Sequence, residues 1–291
     1  MTNTMQQQNF YKDSEVDKMN PPVTVLMSVY NGLPYLPEAI DSILQQTFQD
    51  FEFLIINDAS TDGSSKVLSE YAERDSRIRI LTNERNMGLG YSLARGVAAA
   101  TTTWIARMDA DDIAVPNRLE LQMDYVREHP DVDILGGYGL RIDKSGKVMT
   151  KIKVPTDPVQ IYRLIWTCPL LHPTVMFRRE AIVKVGSYSS KTNRNEDYDL
   201  WFRCAAAGLK FANLSITLIY YRFTDENFQR NKISVSAEQM LIGWRGCWML
   251  RASPIAYLGV TKPFLLGILP LPFRTVVYRW LKLFDPREKV T

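Results

Sequence analysis

The 291-residue chain, 46% hydrophobic and 23% charged, has the composition of a folded globule with a sizeable core, which excludes a disordered or fibrous protein. Its net charge of +3 is unevenly placed: from Arg245 onward eight Lys/Arg face two Asp/Glu, a balance of +6 that leaves −3 for residues 1–244. A basic, apolar end on a slightly acidic body points to an anionic membrane surface, and the lack of basic runs with interleaved aromatics in the body argues against nucleic acid. Cys168, Cys204 and Cys247 are widely spaced, which suits a reducing compartment and neither a disulfide framework nor a zinc site. The first twenty residues lack the apolar core of a secretory signal, and no uncharged stretch is long enough to span a bilayer. The expected location is the cytoplasm, peripheral on the inner face of the cytoplasmic membrane.

Residues 1–20, rich in Gln and Asn, read as a disordered leader. Residues 23–29 form a continuous apolar, β-branched run, the pattern of a central parallel strand. Pro34 and Pro37 open a helix carrying Ile40, Ile43 and Leu44. A second strand over 51–56 leads through a polar turn into a helix ending near Arg74, with Val67, Leu68, Tyr71 and Ala72 inward. A short strand at 78–81, a loop at 83–90 and a small-residue helix at 91–100 follow. The fourth strand runs from Thr103 into the acidic stretch Asp109-Ala110-Asp111-Asp112, after which Pro116 suits the first turn of another helix. This alternation predicts βαβ units and a mostly parallel sheet flanked by helices.

Beyond Pro130 the pattern changes. Residues 132–137 read as a strand, and Lys144-Ser145-Gly146 as a hairpin turn between strands 138–142 and 147–154. Residues 157–166 read as helix, 175–177 as strand, and 196–207 as a helix stopped by Gly208. A strand at 216–222 and a helix at 234–250 come next. The apolar segments 252–261 and 263–273 are separated by Lys262. Last, Phe273, Val276, Val277, Trp280, Leu281 and Phe284 fall on one helical face, with Arg274, Arg279 and Lys282 on the other. That is the composition of an interfacial membrane helix, or of a helix docked on the protein's own core.

Three features lie at the carboxyl ends of predicted strands: Ser28 to Asn31, Asn57-Asp58, and Asp109 to Asp112. Parallel strands bring such ends to one edge, where open α/β sheets bind ligands. Alternating carboxylates can share a hard divalent cation. That edge suits a nucleotide, with Asp58 on the base or ribose and Asp109 and Asp111 on a metal holding a diphosphate. Neither a Walker loop nor a Gly-x-Gly-x-x-Gly turn offers the diphosphate another cradle. Taken singly, Asp-x-Asp also fits a helix-capping loop, and Glu196-Asp197 fits simple helix N-terminal charge.

Taken together, Ser28-Val29-Tyr30-Asn31-Gly32, Ile56 to Ser64, Asn86-Met87-Gly88-Leu89, Met108 to Asp112, and Asn195-Glu196-Asp197-Tyr198-Asp199-Leu200-Trp201 resemble glycosyltransferase family 2, inverting enzymes of GT-A fold. The match spans roughly residues 22–225. Pro116 to Leu119 and His172 to Arg178 resemble the branch that builds bacterial surface polysaccharides. The resemblance implies an α/β, Rossmann-like GT-A domain over 21–225, and the basic amphipathic end makes 226–291 a C-terminal helical, membrane-associating segment. It implies a nucleotide diphosphate sugar donor, UDP-linked, and a glycan acceptor, and the basic amphipathic tail suggests that this acceptor is lipid-linked, on a polyprenyl diphosphate. The backbone from Ser28 to Tyr30, and Asp58, would bind the base. Asp109 would sit near the ribose and the metal, and Asp111 would be the main ligand of Mg²⁺ or Mn²⁺, supported by Asp112. Asp197 would be the catalytic base, beside Glu196. His172 would either line the acceptor cleft or be a hydrogen-bonded core histidine. Arg178 and Arg179 would be surface or diphosphate-facing, and Cys168 and Cys204 core. Relatives often carry Asn at the position of Ala94, and Arg95 is the candidate to compensate. The alternatives weighed beside this reading are a nucleotidyltransferase that activates sugars and a non-catalytic nucleotide- or glycan-binding module.

Overall fold

The computed structural model describes residues 22–192, 194–223 and 233–269. The expected leader at 1–20 and the amphipathic helix expected at 273–284 lie outside them. The fold grows from four parallel strands: β1 (Val23–Val29), β2 (Phe51–Asn57), β3 (Ile78–Thr82) and β4 (Trp104–Asp109). They lie in the order β3-β2-β1-β4, with Val23 to Ser28 of β1 paired in register with Trp104 to Asp109. Each strand is apolar on both faces because helices cover both. On one face α1 (Leu36–Leu44), α2 (Ser64–Arg74) and α4 (Arg118–Glu128) bury Ile40, Leu68, Leu119 and Met123 against Val25, Met27, Phe53 and Ile55. On the other, α3 (Leu89–Ala99), α6 (Arg179–Lys184) and α7 (Glu196–Ala206) pack Leu93, Val97, Ile182 and Trp201 against Leu26, Leu54, Ile56 and Ile105.

Past β4 the sheet becomes mixed. β8 (Met176–Arg178) runs antiparallel to both β4 and β6 (Ile134–Ile142), β9 (Phe211–Arg222) runs parallel to β6, and the two-residue β5 (Ile113–Ala114) pairs with the far end of β9. The hairpin turn at Lys144 to Gly146 is present and leads to β7 (Val148–Ile152), with the Asp143 carboxylate accepting from the backbone of Ser145 and Lys147. The predicted strands at 132–137 and 138–142 are one strand, and β9 begins five residues before its predicted start. Register shifts between β6 and β9 near Tyr138 let a long pairing continue where alternation breaks in the sequence.

Two helix starts also differ from expectation. Gly88, at φ +87°, lets α3 begin at Leu89, two residues early. Pro116 sits in the turn before Asn117, the N-cap of α4, so it precedes the helix. At the C-terminal end, α8 (Ile233–Met249) packs on α7, α9 (Pro254–Ile268) packs on α8 and on the 3₁₀ turn at Ile165–Thr167, α5 (Pro158–Arg163) precedes that turn, and α9 continues through Pro263. Cys247, Ala256 and Val260 join the same core as Tyr198 and Phe202. Among the described residues no helix is long and apolar enough to cross a membrane.

Candidate active site

The strand register brings the predicted edge together. Ser28 lies opposite both Ile56 and Asp109, and Val29 opposite Asn57. The loops that follow are tied by short polar side chains: the Asn31 amide N–H donates to Ser60 Oγ at 3.1 Å, that of Gly32 to Ser64 Oγ at 3.0 Å, and that of Leu33 to the Asp62 carboxylate at 3.0 Å. Tyr30 projects beside them, exposed. Asp58 is buried, and its carboxylate accepts from Asn83 Nδ2 at 2.6 Å and from the backbone N–H groups of Met87 and Gly88, each at 2.8 Å. Both of its oxygens are thus engaged in shaping the 83–88 loop. Arg95 braces the same loop, donating to the Thr82 carbonyl and to Asn83 Oδ1.

Asp109, Asp111 and Asp112 converge as expected: each offers a carboxylate oxygen, and these lie within 4.8 Å of one another. Asp112 is 1% exposed. Its Oδ1 accepts from the Arg222 backbone N–H at 2.8 Å, and its Oδ2 is buried without a partner among the described residues. Burial, then the charges of Asp109 and Asp111, push the Asp112 carboxyl well above the usual range. A buried orphan acceptor among crowded carboxylates is the donor set of a divalent cation, so the residues fit Mg²⁺ or Mn²⁺.

Arg107 joins this cluster to the second acidic stretch. Side chains alternate along a strand, so Ile105, Arg107 and Asp109 share the face that α7 covers. Arg107 is buried and pairs with Asp109 through Nη1. Burial works against its charge, and Asp109 overcomes that penalty. Its field reaches across to α7, where it opposes the rise of both Glu196 and Asp197. Burial pushes Asp197 up, and burial followed by the Asp197 charge brings Glu196 to about 7. Glu196 also feels Asp109 directly. Arg107 thus pairs with the first acidic stretch and lies on the strand face that the helix bearing the second one covers.

Asp197 sits in the first turn of α7 and is partly exposed. Its Oδ2 lies 3.9 Å from His172 Nδ1 and 3.7 Å from Cys168 Sγ. His172 is buried and its Nε2 is 2.9 Å from the Tyr188 hydroxyl, so it is both a hydrogen-bonded core histidine and a neighbour of Asp197. Burial, then Arg107, holds it well below its ordinary value and keeps it neutral. Cys204 is in the core, while Cys168 turns towards Asp197 in a left-handed conformation at φ +56°. Arg178 pairs with Asp133 and covers the Trp104 ring, and Arg179 donates to the Val97 carbonyl, so neither is aimed at the acidic cluster.

Sequence reasoning missed Arg107, Arg118 and Arg222. Arg118 is fully buried under the acidic turn and donates to the Arg107 carbonyl at 2.7 Å. Arg222 donates from Nε to the Asp111 carbonyl at 2.9 Å and from Nη2 to Glu38 at 2.5 Å, while its guanidinium lies 4.2 Å from the centre of the Tyr35 ring. An arginine inside the otherwise apolar β4 was a readable signal for Arg107.

The model of glycosyl transferase family 2 matches residues 24–186. This covers more than half of the chain. The protein belongs to that family. The O-antigen biosynthesis glycosyltransferase WbnJ of Escherichia coli is 34% identical over 216 residues, 73% of this chain and 84% of WbnJ. The fold is GT-A. A crystal structure of S. aureus TarS in complex with UDP-GlcNAc superposes with a TM-score of 0.65 at 17% identity, covering 84% of this chain and 71% of that one. The mannosyltransferase PcManGT from Pyrobaculum calidifontis, in complex with GDP-Man and Mn²⁺, gives 0.57 at 15% identity, covering 94% and 83%. The glycosyltransferase family 2 match includes the β1 and β2 edge, the acidic turn and His172, and it ends before α7.

Proposed function

We propose that this glycosyltransferase is an inverting enzyme that moves a sugar from a UDP-linked donor to a hydroxyl of a growing surface polysaccharide. The observation that carries this is the buried Arg107, which pairs with Asp109 and lies on the face of β4 that α7, the helix of Glu196 and Asp197, covers. It supports a single cleft with a donor wall and an acceptor wall.

On the donor wall, the loops after β1 and β2 receive the nucleoside. Ser28 and Tyr30 offer backbone groups and an exposed ring, and Asp58 sets the 83–88 loop that borders them. Asp111, with Asp109 and Asp112, would hold Mg²⁺ or Mn²⁺, which when bound neutralises charge developing on the leaving diphosphate. The orphaned Asp112 Oδ2 and the Mn²⁺ in the PcManGT complex favour that cofactor. On the acceptor wall, Asp197 takes the proton of the attacking hydroxyl. The new bond forms at the anomeric carbon as the bond to the diphosphate oxygen breaks, and attack opposite the leaving group inverts the centre. Burial raises the affinity of Asp197 for a proton, which suits a base at neutral pH. Neutral His172 and Cys168 border its Oδ2 and set its direction.

Residues 21–225 form the catalytic domain in this reading, and 226–291 seat it on the inner face of the membrane, where a polyprenyl-diphosphate-linked acceptor would be met. The basic C-terminal composition favours that placement, and the O-antigen role in the name of WbnJ favours the polysaccharide. A panel of nucleotide sugars screened for Mn²⁺-dependent hydrolysis tests the reading. One UDP-sugar should be hydrolysed and EDTA should stop it; no hydrolysis of any donor, or hydrolysis indifferent to EDTA, would contradict it.

A further inference from the structure

A concavity lies where α5, the following 3₁₀ turn, α7 and α9 meet. Its volume is about 750 Å³, and its walls include Val159 and Tyr162 of α5, Ile165 and Trp166 of the following 3₁₀ turn, Phe202 of α7 and Ala256 of α9. That size is within the roughly 300–1,000 Å³ of small-molecule sites. The wall is aromatic and aliphatic, with exposed Val159 and Tyr162 at its mouth. Arg163 also lines it, exposed and in no ion pair among the described residues.

The same wall leads to the reaction site. The Tyr198 hydroxyl donates to the Trp166 carbonyl at 2.8 Å, and Tyr198 follows Asp197 in α7. Two residues beyond Trp166, Cys168 Sγ lies 3.7 Å from Asp197 Oδ2. Outside the cavity, α8 and α9 expose Leu241, Trp244, Trp248, Ile255 and Leu258, and residues 239–269 contain Arg245, Arg251 and Lys262 but no carboxylate. An apolar recess with a free cation, beside an apolar and cationic surface, is complementary to an amphiphile with a chain and an anionic head.

We infer that this cavity holds the apolar chain of the prenyl-diphosphate-linked acceptor, with Arg163 meeting a phosphate of its head and the glycan end of the same molecule reaching Asp197. The inference rests on the transferase reading above and adds a site to it. Each methylene buried there contributes roughly fourfold in affinity, so a short prenyl chain suffices as a probe.

The test titrates farnesyl monophosphate and farnesol into the full chain, into Val159→Asp and into Arg163→Glu, with UDP binding in Mn²⁺ measured on the same preparations. Both substitutions lie at exposed positions, so the fold is retained. Farnesyl monophosphate should bind saturably and about tenfold more tightly than farnesol. Arg163→Glu should remove that preference, and Val159→Asp should weaken both ligands. Unchanged affinities in both variants would overturn the assignment. So would dihexanoyl phosphatidylglycerol binding as tightly as farnesyl monophosphate, or binding that appears only after residues 270–291 are removed, which would make the tail the occupant. UDP bound without farnesyl monophosphate sinks the cavity assignment alone. Farnesyl monophosphate bound without UDP sinks the transferase reading, and the acceptor role with it.

Discussion

Glu196 is 4% exposed and its Oε2 has no hydrogen-bond partner among the described residues. Burial holds its proton to about 7, against 4.5 for the free side chain. Between those values the folded chain binds more protons than the unfolded one, so this group's contribution to stability is full below pH 4.5 and is lost as pH rises through 7. Glu196→Gln keeps the shape and removes the titration. The variant should match the parent near pH 4.5 and gain on it up to roughly 3 kcal/mol by pH 8. Urea unfolding at pH 5 and pH 8 checks this, and a difference constant with pH would contradict it. Asp109 and Asp111 were legible as strand-end carboxylates, whereas Glu196 and Asp197 stood out only through the family resemblance, since locally they also fit helix N-terminal charge. Arg107 left a signal in its place within an apolar strand, but Arg222 did not, since its partners Asp111 and Glu38 come from distant elements. Asp58 was legible as a strand-end carboxylate, but its engagement by Met87 and Gly88 depends on the fold of the 83–88 loop.

At the scale of elements, the four parallel strands and their helices were readable because burial on both faces writes a continuous apolar run. The β6 to β9 region was harder. Its strands mix apolar and exposed positions, and the ladder is carried by partners far away in sequence. The C-terminal pair depends on glycines whose reason appears only in the packing. A Cβ at Gly246 would fall 2.2 Å from Phe202 Cγ, and one at Gly259 would fall 1.9 Å from Trp166 Cζ3. These close approaches seat α8 on α7 and α9 on the 3₁₀ turn. Gly246→Val should therefore push α8 away and cost about 1–3 kcal/mol, read as a lower urea midpoint together with a changed tryptophan emission from Trp244 and Trp248. An unchanged midpoint would mean that α8 is not held by this contact.

At the scale of the molecule, one sheet edge gathers the loops after β1 and β2 and the acidic turn, α7 carries Glu196 and Asp197, and α8 and α9 close the same core. The C-terminal surface then has a chemical bias: Trp248 and Leu258 are 77% and 74% exposed in a stretch without carboxylates. Vesicle flotation tests the membrane seat. The full chain should float with vesicles containing phosphatidylglycerol, less so at high salt. The doubly substituted Trp248→Ser, Leu258→Ser chain should be recovered several-fold less, and equal recovery would remove the claim. Truncation should spare residues up to 269, because Ala256 and Val260 are core.

In the proposed reading the two acidic stretches line one cleft, with Asp197 as the base and Asp111 as the main metal ligand. Loss of the base should cut turnover about 10²–10⁴-fold while leaving donor affinity nearly intact, whereas loss of the main metal ligand should abolish Mn²⁺-dependent donor binding. Calorimetric titration of UDP with Mn²⁺ into the parent, Asp197→Asn and Asp111→Ala reads both. The expected result is parent-like binding by Asp197→Asn and none by Asp111→Ala. Equal binding by all three, or loss of binding in Asp197→Asn alone, would contradict the shared cleft.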